Sequence, residues 1–257
     1  MTETNVTFRS FAVIRLAVAD LDAAVSAWTD QLGWPPATTA PDLATFPLGA
    51  TTIEMVPATA GQVPGVIAVA VTVDDTEQAA QRIESAGFRV ERTADHSVVL
   101  PARDLNGVAL ELRPADEDGP ESFKGPYTRI NHVVVAVEDD DAAQENWAAA
   151  FGRWPAHAMG GHDHFHHVPV GIAWFGLTAS GTNASALGRF IDRRGEGVYA
   201  LGVVVDDWAQ TLETLRTNGA RLITQEDSNQ TFLHPATTHG VLINLVAEWH
   251  PDLLPAG

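Results

Sequence analysis

FAVIRLAVADLDAAVSAWTDQLG (residues 11–33) and INHVVVAVEDDDAAQENWAAAFG (130–152) share one grammar: an apolar run, an acidic residue, a helix-forming stretch and a glycine. VIAVAVTVDDTEQAAQRIESAG (66–87) and VYALGVVVDDWAQTLETLRTNG (198–219) repeat it. The apolar runs read as buried strands. Asp20, Asp74, Asp139 and Asp206 follow them at once, where a carboxylate can accept from a free N–H at a helix start. Glu77, three residues after Asp74, completes the spacing of a capping box. Gly33, Gly87, Gly152 and Gly219 fall where a helix ends in a left-handed residue. Short β-rich pieces with turn signals come next, such as FPLGATTIEMVP, HSVVLPARDLNGVALELRP and TFLHPATTHGVLINLVAEW. Each unit therefore predicts β-α-β-β-β.

The spacing of like residues shows a duplication. Val18 to Val137, Trp28 to Trp147 and Gly33 to Gly152 are each 119 residues apart. Gly49 to Gly171 is 122, Val73 to Val205 is 132 and Gly107 to Gly240 is 133. An offset that grows in steps is what loop insertions produce between equivalent halves. Most of the growth falls at TASGTNASALGRFIDRRGEG (178–197), against the shorter PATAGQVPG (57–65). The expected organisation is α+β with two tandem domains of two modules each, 1–115 and 127–257. The stretch 116–126, inside PADEDGPESFKGP, is rich in proline, glycine and acid and reads as a linker.

Composition narrows the function. Hydrophobic residues make up 45% of 257, enough for a sizeable core. A formal net charge of −18 disfavours phosphate backbones and anionic lipid, so neither nucleic acid nor membrane is an expected partner. No apolar run approaches the roughly 20 residues of a bilayer span, and MTETNVTFRS lacks a signal-peptide core, so the expected location is cytoplasmic. The absence of cysteine removes disulfides, thiolate metal sites and cysteine nucleophiles. No nucleophile elbow, phosphate-binding glycine loop or dinucleotide fingerprint is found.

These phrases together resemble the vicinal-oxygen-chelate superfamily, which includes glyoxalases, bleomycin-resistance proteins and extradiol dioxygenases. INHVVVAVEDDDAA, SALGRFIDRRGEGVYALGVVVDD and TFLHPATTHGVLINL give the C-terminal half a closer similarity to methylmalonyl-CoA epimerase. VADLDAAVSAWTDQLGW and ARDLNGVALEL carry the looser resemblance of the N-terminal half. The resemblance implies that two modules pair into a cup-shaped mixed sheet, and that a metal is commonly held by residues of each module's first and fourth strands. Carried over, those positions are His132, Gly176, Ala200 and Asn244 in the C-terminal half, and Val13, Glu54, Ala68 and Glu111 in the N-terminal half. A divalent transition metal wants at least three nitrogen or carboxylate ligands, and neither set supplies them. The usual metal site is expected to be broken in both halves, and no cofactor is expected.

Several residues remain as candidates. His132 and Asn244 could work without metal, the imidazole moving a proton while the amide orients a substrate carbonyl or oxyanion. Glu54 and Glu111 could share a proton as a general acid/base pair, or could be paired with arginine, Arg15 being nearest by strand logic. Strand alternation puts Trp174 and Gly176 on one face, as an aromatic platform for a flat ligand or as a plug that closes the cup, with Ala200 nearby. HAMGGHDHFHHVPVG holds five of the ten histidines. If 162–170 is a strand, His162, His164 and His166 share a face, and a divalent metal could bind His164, His166 and His132; the alternative is a polar hairpin. Trp28 and Trp147, at equivalent positions, read as core. Arg189, Arg193 and Arg194 read as exposed helix charge, with contact to an anionic group as the alternative.

Three functions follow as expectations. The first is a glyoxalase- or epimerase-like enzyme of the isomerase or lyase type, acting on a small carbonyl-bearing or aromatic molecule, with catalysis by His132, Asn244, Glu54 and Glu111. The second is a non-catalytic, antibiotic-type binding or resistance protein whose tryptophan-lined cups hold a cationic or aromatic ligand. The third is a metalloenzyme rebuilt on the 157–167 histidines. Monomer and homodimer are both open.

Overall fold

The four apolar runs form the first strands of four modules: β1 (Phe8–Val18), β5 (Gly65–Val73), β9 (Tyr127–Val137) and β13 (Gly197–Val205). In the computed structural model, residues 6–115, 125–157, 165–180, 185–224 and 230–247 are described. The remaining strands of the N-terminal half are β2 (Thr38–Ala40), β3 (Leu43–Leu48), β4 (Thr51–Pro57), β6 (Glu91–Arg92), β7 (Val98–Leu100) and β8 (Leu110–Pro114). Those of the C-terminal half are β10 (Ala156–His157), β11 (Phe165–Val170), β12 (Ala173–Ala179), β14 (Leu222–Thr224), β15 (Gln230–Leu233) and β16 (Leu242–Ala247). Helices α1 (Leu21–Asp30), α2 (Thr76–Ser85) and α3 (Asp140–Phe151) follow the first three lead strands. A further helix, α4 (Ala186–Arg194), precedes β13, and α5 (Trp208–Thr217) follows it.

Helix starts are chemically specified, with one correction. Asp20 and Asp139 cap α1 and α3 as expected, accepting from Ala23 and Ala142 N–H. Helices α2 and α5 are capped by Asp75 and Asp207, each one residue later than Asp74 and Asp206. The strand ladder is the reason. The N–H groups of Asp74 and Asp206 are still bonded to the carbonyls of Thr7 and Pro126, so the chain cannot turn into a helix there. The Asp74 carboxylate instead pairs with Arg9.

Each half closes on itself. The strand orders are β2-β3-β4-β1-β5-β8-β7-β6 and β10-β11-β12-β9-β13-β16-β15-β14, with the lead strands antiparallel at the centre and each parallel to its own module's last strand. One face of each sheet is buried: Ile14, Leu16, Ile53, Met55, Val69 and Val71 in the first, Val133, Val135, Phe175, Leu177, Leu201 and Leu245 in the second. Helices α1, α2, α3 and α5 contribute their apolar faces to this core, which is continuous through both halves. The alternate residues line the opposite, concave face.

The halves meet through contacts that obey an approximate two-fold. Trp28 Nε1 donates to the Thr238 carbonyl at 3.4 Å, and Trp147 Nε1 donates to Asn106 Oδ1 at 3.1 Å, so each buried indole reaches the last loop of the other half. A Cβ on Gly49 would lie 2.5 Å from the Thr128 carbonyl oxygen, and one on Gly171 would lie 1.8 Å from that of Arg9. No side chain fits at either place. Trp34 stacks on Tyr127 at 4.6 Å, Phe8 meets Phe151 at 4.4 Å, and Tyr127 Oη donates to the Leu32 carbonyl at 2.7 Å. The equivalent tryptophans are thus core and also cross-domain fastenings.

Candidate functional site

In the N-terminal cup, strand register puts Val13, Ala70 and Glu111 in one row, with Glu54, Arg15 and Ala68 in the next. Each carboxylate is taken by an arginine. Arg15 donates to Glu54 through Nε at 2.8 Å, with its Nη2 at 2.7 Å from the same oxygen. Arg113 makes a two-pronged contact to Glu111 at 2.7 and 3.2 Å. The shared-proton pair expected of Glu54 and Glu111 is therefore replaced by two ion pairs, the second on the i, i+2 spacing of a strand face.

The C-terminal cup carries a different row. Trp174, His132, Gly202, Asn244 and Phe232 are register partners across β12, β9, β13, β16 and β15. Gly202 decides the geometry: a Cβ there would come within 2.2–2.5 Å of three atoms of the His132 ring. The imidazole lies over that glycine, on the side of β9 that faces Asn244. Trp174 stacks on His132 from the other side, with centroids 4.3 Å apart and planes 13° from parallel. His167 on β11 contacts Trp174 at 4.1 Å, and Phe165 meets it edge-on at 5.4 Å.

His132 is only 6% exposed. Its Nδ1 is 2.8 Å from Asn131 Oδ1, an acceptor that assigns the proton to Nδ1 and leaves the lone pair on Nε2. Burial pushes its pKa down to about 3, helped by the nearby His167, whose own pKa burial lowers to about 4. Both rings are neutral at physiological pH. Asn244 is likewise 6% exposed, and its Oδ1 has no hydrogen-bond partner among the described residues. A buried acceptor without a donor costs about 1–3 kcal/mol.

The sequence-derived residues are thus partly brought together. His132, Trp174, Gly176, Ala200 and Asn244 share the C-terminal concave face. A Cβ on Gly176 would meet Phe165 at 2.4 Å and Trp174 at 2.6 Å, so aromatic rings occupy that place. His166 is a correction: β11 starts at Phe165, and His166 falls on the core face with Val168 and Val170, away from His132. Its Nε2 contacts Asp140 Oδ2 at 3.0 Å. His162 and His164 lie outside the described residues. His167, Asn131 and Gly202 were not singled out from sequence. The phase of Val168 and Val170 would have put His167 in the cup.

A metal at the superfamily positions would find one imidazole and one amide oxygen in the C-terminal cup, with Ala200 and an aromatic-filled Gly176 opposite. In the N-terminal cup it would find two carboxylates already held by arginine. Neither donor set fits a divalent transition metal.

Beside Asn244 the second sheet opens into a cleft of about 570 Å³ under α4, walled by Phe190, Arg193, Arg194, Tyr199, Phe232 and Leu242.

The comparisons with known proteins agree with this architecture. Family profiles described as the glyoxalase/bleomycin resistance protein/dioxygenase superfamily match residues 10–119 and residues 131–237. No functionally curated protein matches the chain. A mutant of 4-hydroxymandelate synthase from Streptomyces coelicolor superposes with a TM-score of 0.72 at 18% identity, covering 93% of this chain and 92% of that one. A xylose isomerase-like TIM barrel/4-hydroxyphenylpyruvate dioxygenase fusion protein gives 0.74 at 14% identity, covering 96% of this chain and 51% of its own length. These are likenesses of fold. Methylmalonyl-CoA epimerase from Mycobacterium tuberculosis is 28% identical over 52% of this chain and 96% of its own, with a TM-score of 0.45.

Proposed function

Because the chain belongs to the glyoxalase/bleomycin resistance protein/dioxygenase superfamily, we propose that its C-terminal cup is the working site of an isomerase- or lyase-type enzyme acting on a small carbonyl-bearing or aromatic molecule. In this reading the superfamily's usual metal takes no part. The observation that carries it is the unpartnered, buried Asn244 Oδ1, facing His132 across the bare backbone of Gly202. A substrate carbonyl between them would accept from the Asn244 amide N–H, and its hydroxyl tautomer would donate to the orphan oxygen. His132 Nε2 is the base: the substrate C–H breaks, a bond to Nε2 forms, and the electron pair moves onto the carbonyl oxygen stabilised by Asn244.

The depressed pKa shapes that chemistry. An imidazole whose conjugate acid is held near pKa 3 is a weak base, so the substrate C–H must itself be acidified by its carbonyl or an aromatic ring. The imidazolium, poorly solvated, returns its proton quickly, which suits a proton shift or epimerisation. The required neutral form persists at every pH above about 4, so the rate contribution of His132 is flat from pH 5 to 8 and shows no inflection near 6.5.

Hydrogen–deuterium exchange tests the reading. Wild-type protein in D2O should wash deuterium into the α-position of some member of a panel of 2-oxo acids and thioesters, followed by proton NMR. His132→Gln should abolish exchange. Asn244→Ala should slow it by about 10²–10³, the usual loss for an oxyanion donor, with substrate-signal broadening retained. Exchange unaffected by His132→Gln would sink the assignment.

A second reading, a non-catalytic binder of flat molecules, is favoured by the covering of His132 by Trp174 and by its low basicity. Saturable line broadening without exchange in any panel member would select it.

A further inference from the structure

Helix α4 lies where the halves differ most in length, and it sits on the other side of the second sheet from α3 and α5. The strand residues facing it, Phe232, Leu242 and Ile223, alternate with the core residues Leu233, Ile243 and Leu222. They therefore belong to the concave face that carries His132 and Asn244. Phe232 is the register partner of Asn244, and Leu242 stands two residues before it on β16. The cleft under α4 thus borders the strand row that carries Asn244, with Phe232 and Leu242 in its wall.

Its chemistry is opposite to that of the molecule. The chain carries a formal net charge of −18, yet Arg189, Arg193, Arg194 and His234 line this cleft, and among the described residues no Asp or Glu does. Arg193 and Arg194 make no ion pair with any described carboxylate. Arg194 instead lies 5.4 Å over the Phe190 ring, with Nη1 close to Gly65, and burial lowers its pKa. Phe190 meets Tyr199 edge-on at 5.3 Å, giving the cleft an aromatic wall. A guanidinium partly desolvated beside an aromatic ring, with the second guanidinium of Arg193 next to it in sequence, is suited to a counter-anion.

We propose that this cleft binds a small organic anion with a planar apolar body. Arg193 and Arg194 hold its carboxylate or phosphate group, and Phe190, Tyr199 and Phe232 seat the rings, with the far end directed at Asn244. This rests on the reading of the C-terminal cup as a small-molecule site and narrows its substrate to an anion.

Fluorescence titration with 8-anilinonaphthalene-1-sulfonate, against the uncharged N-phenyl-1-naphthylamine with the same rings, tests the proposal on the full chain. The sulfonate should bind saturably and more weakly as salt rises. In the Arg193→Gln/Arg194→Gln double variant its affinity should drop by about tenfold or more, while the neutral probe changes less than about twofold. Arg193→Lys/Arg194→Lys should keep the preference for the charged probe, which guards against a loss caused by misfolding. Phenyl phosphate and benzoate as competitors assign the anionic group by which displaces the probe better. The proposal is overturned if the glutamine variant binds the sulfonate as wild type does, if both probes weaken equally, or if neither competitor displaces the probe at millimolar concentration. Anion binding without any deuterium exchange would leave this site standing and remove the catalytic reading. Exchange of uncharged carbonyl compounds alone would do the reverse.

Discussion

The two cups are built on one register and have been given contrasting interiors. At four equivalent positions the N-terminal cup has Val13, Glu54, Ala68 and Glu111, and the C-terminal cup has His132, Gly176, Ala200 and Asn244. In the first, Arg15 and Arg113 neutralise both carboxylates within the cup wall. In the second, an imidazole is stacked under tryptophan and an amide oxygen beside it has no partner among the described residues. A cup whose polar groups satisfy one another makes little demand on a ligand. One that keeps a buried acceptor unsatisfied carries a standing cost that a ligand can remove. The difference directs attention to the C-terminal cup although the folds match.

The sharpest way to break this comparison is at the glycine beneath His132. Gly202→Ala puts a methyl group within 2.5 Å of the imidazole, which Trp174 prevents from lifting away. We expect a loss of up to about 3 kcal/mol in urea unfolding, the scale of an overpacked core. Its counterpart in the other cup is already Ala70, so Ala70→Gly should cost at most about 1 kcal/mol.

Acid should separate the cups next. The folded pKa of His132 lies below the usual histidine value of 6.5, so the unfolded chain binds its proton first as pH falls. Stability from this group is intact above about pH 6.5, is lost as pH falls from there, and levels off near the folded value of about 3. At pH 5 the loss is about 2 kcal/mol. His167 contributes with the same sign. Urea midpoints measured at pH 7 and pH 5 should therefore diverge more in wild type than in His132→Gln. Equal divergence would mean that the ring is not held neutral.

The smallest effect belongs to the N-terminal cup. A double-mutant cycle on Arg15→Met and Glu54→Gln should give a coupling below about 1 kcal/mol, because both groups keep part of their surface in water, 36% and 19% of the side chain. A coupling several times larger would mean a much drier cup.

The duplicated βαβββ plan was legible because period-2 runs, caps and glycine stops are local signals that recur at countable intervals. Local signals also set the limit. Asp74 and Asp206 look like caps in sequence, but strand pairing holds their N–H groups, and tertiary hydrogen bonds are invisible in a spacing rule. Glu54 with Arg15 was legible by strand logic, since the two are direct register partners on neighbouring strands. The His132–Trp174 stack required knowing which strands are neighbours, and the phase of the histidine run was set by Val168 and Val170 burying on the core side. The cleft under α4 depends on which face an inserted helix covers, and that face is not written in the helix.

The glycines at the boundary between the halves carry a consequence for how this duplicated chain can diverge. Gly49 and Gly171, and likewise Gly107 and Gly240, are matched in the two copies, and each abuts backbone belonging to the opposite copy. Of the four central cup positions only the alanine is matched. Change at the seam in either copy must be accommodated by the other, so the two are tied together there. The central positions of the cups are not held by such backbone contacts across the seam, so they can diverge while the seam keeps the two copies together.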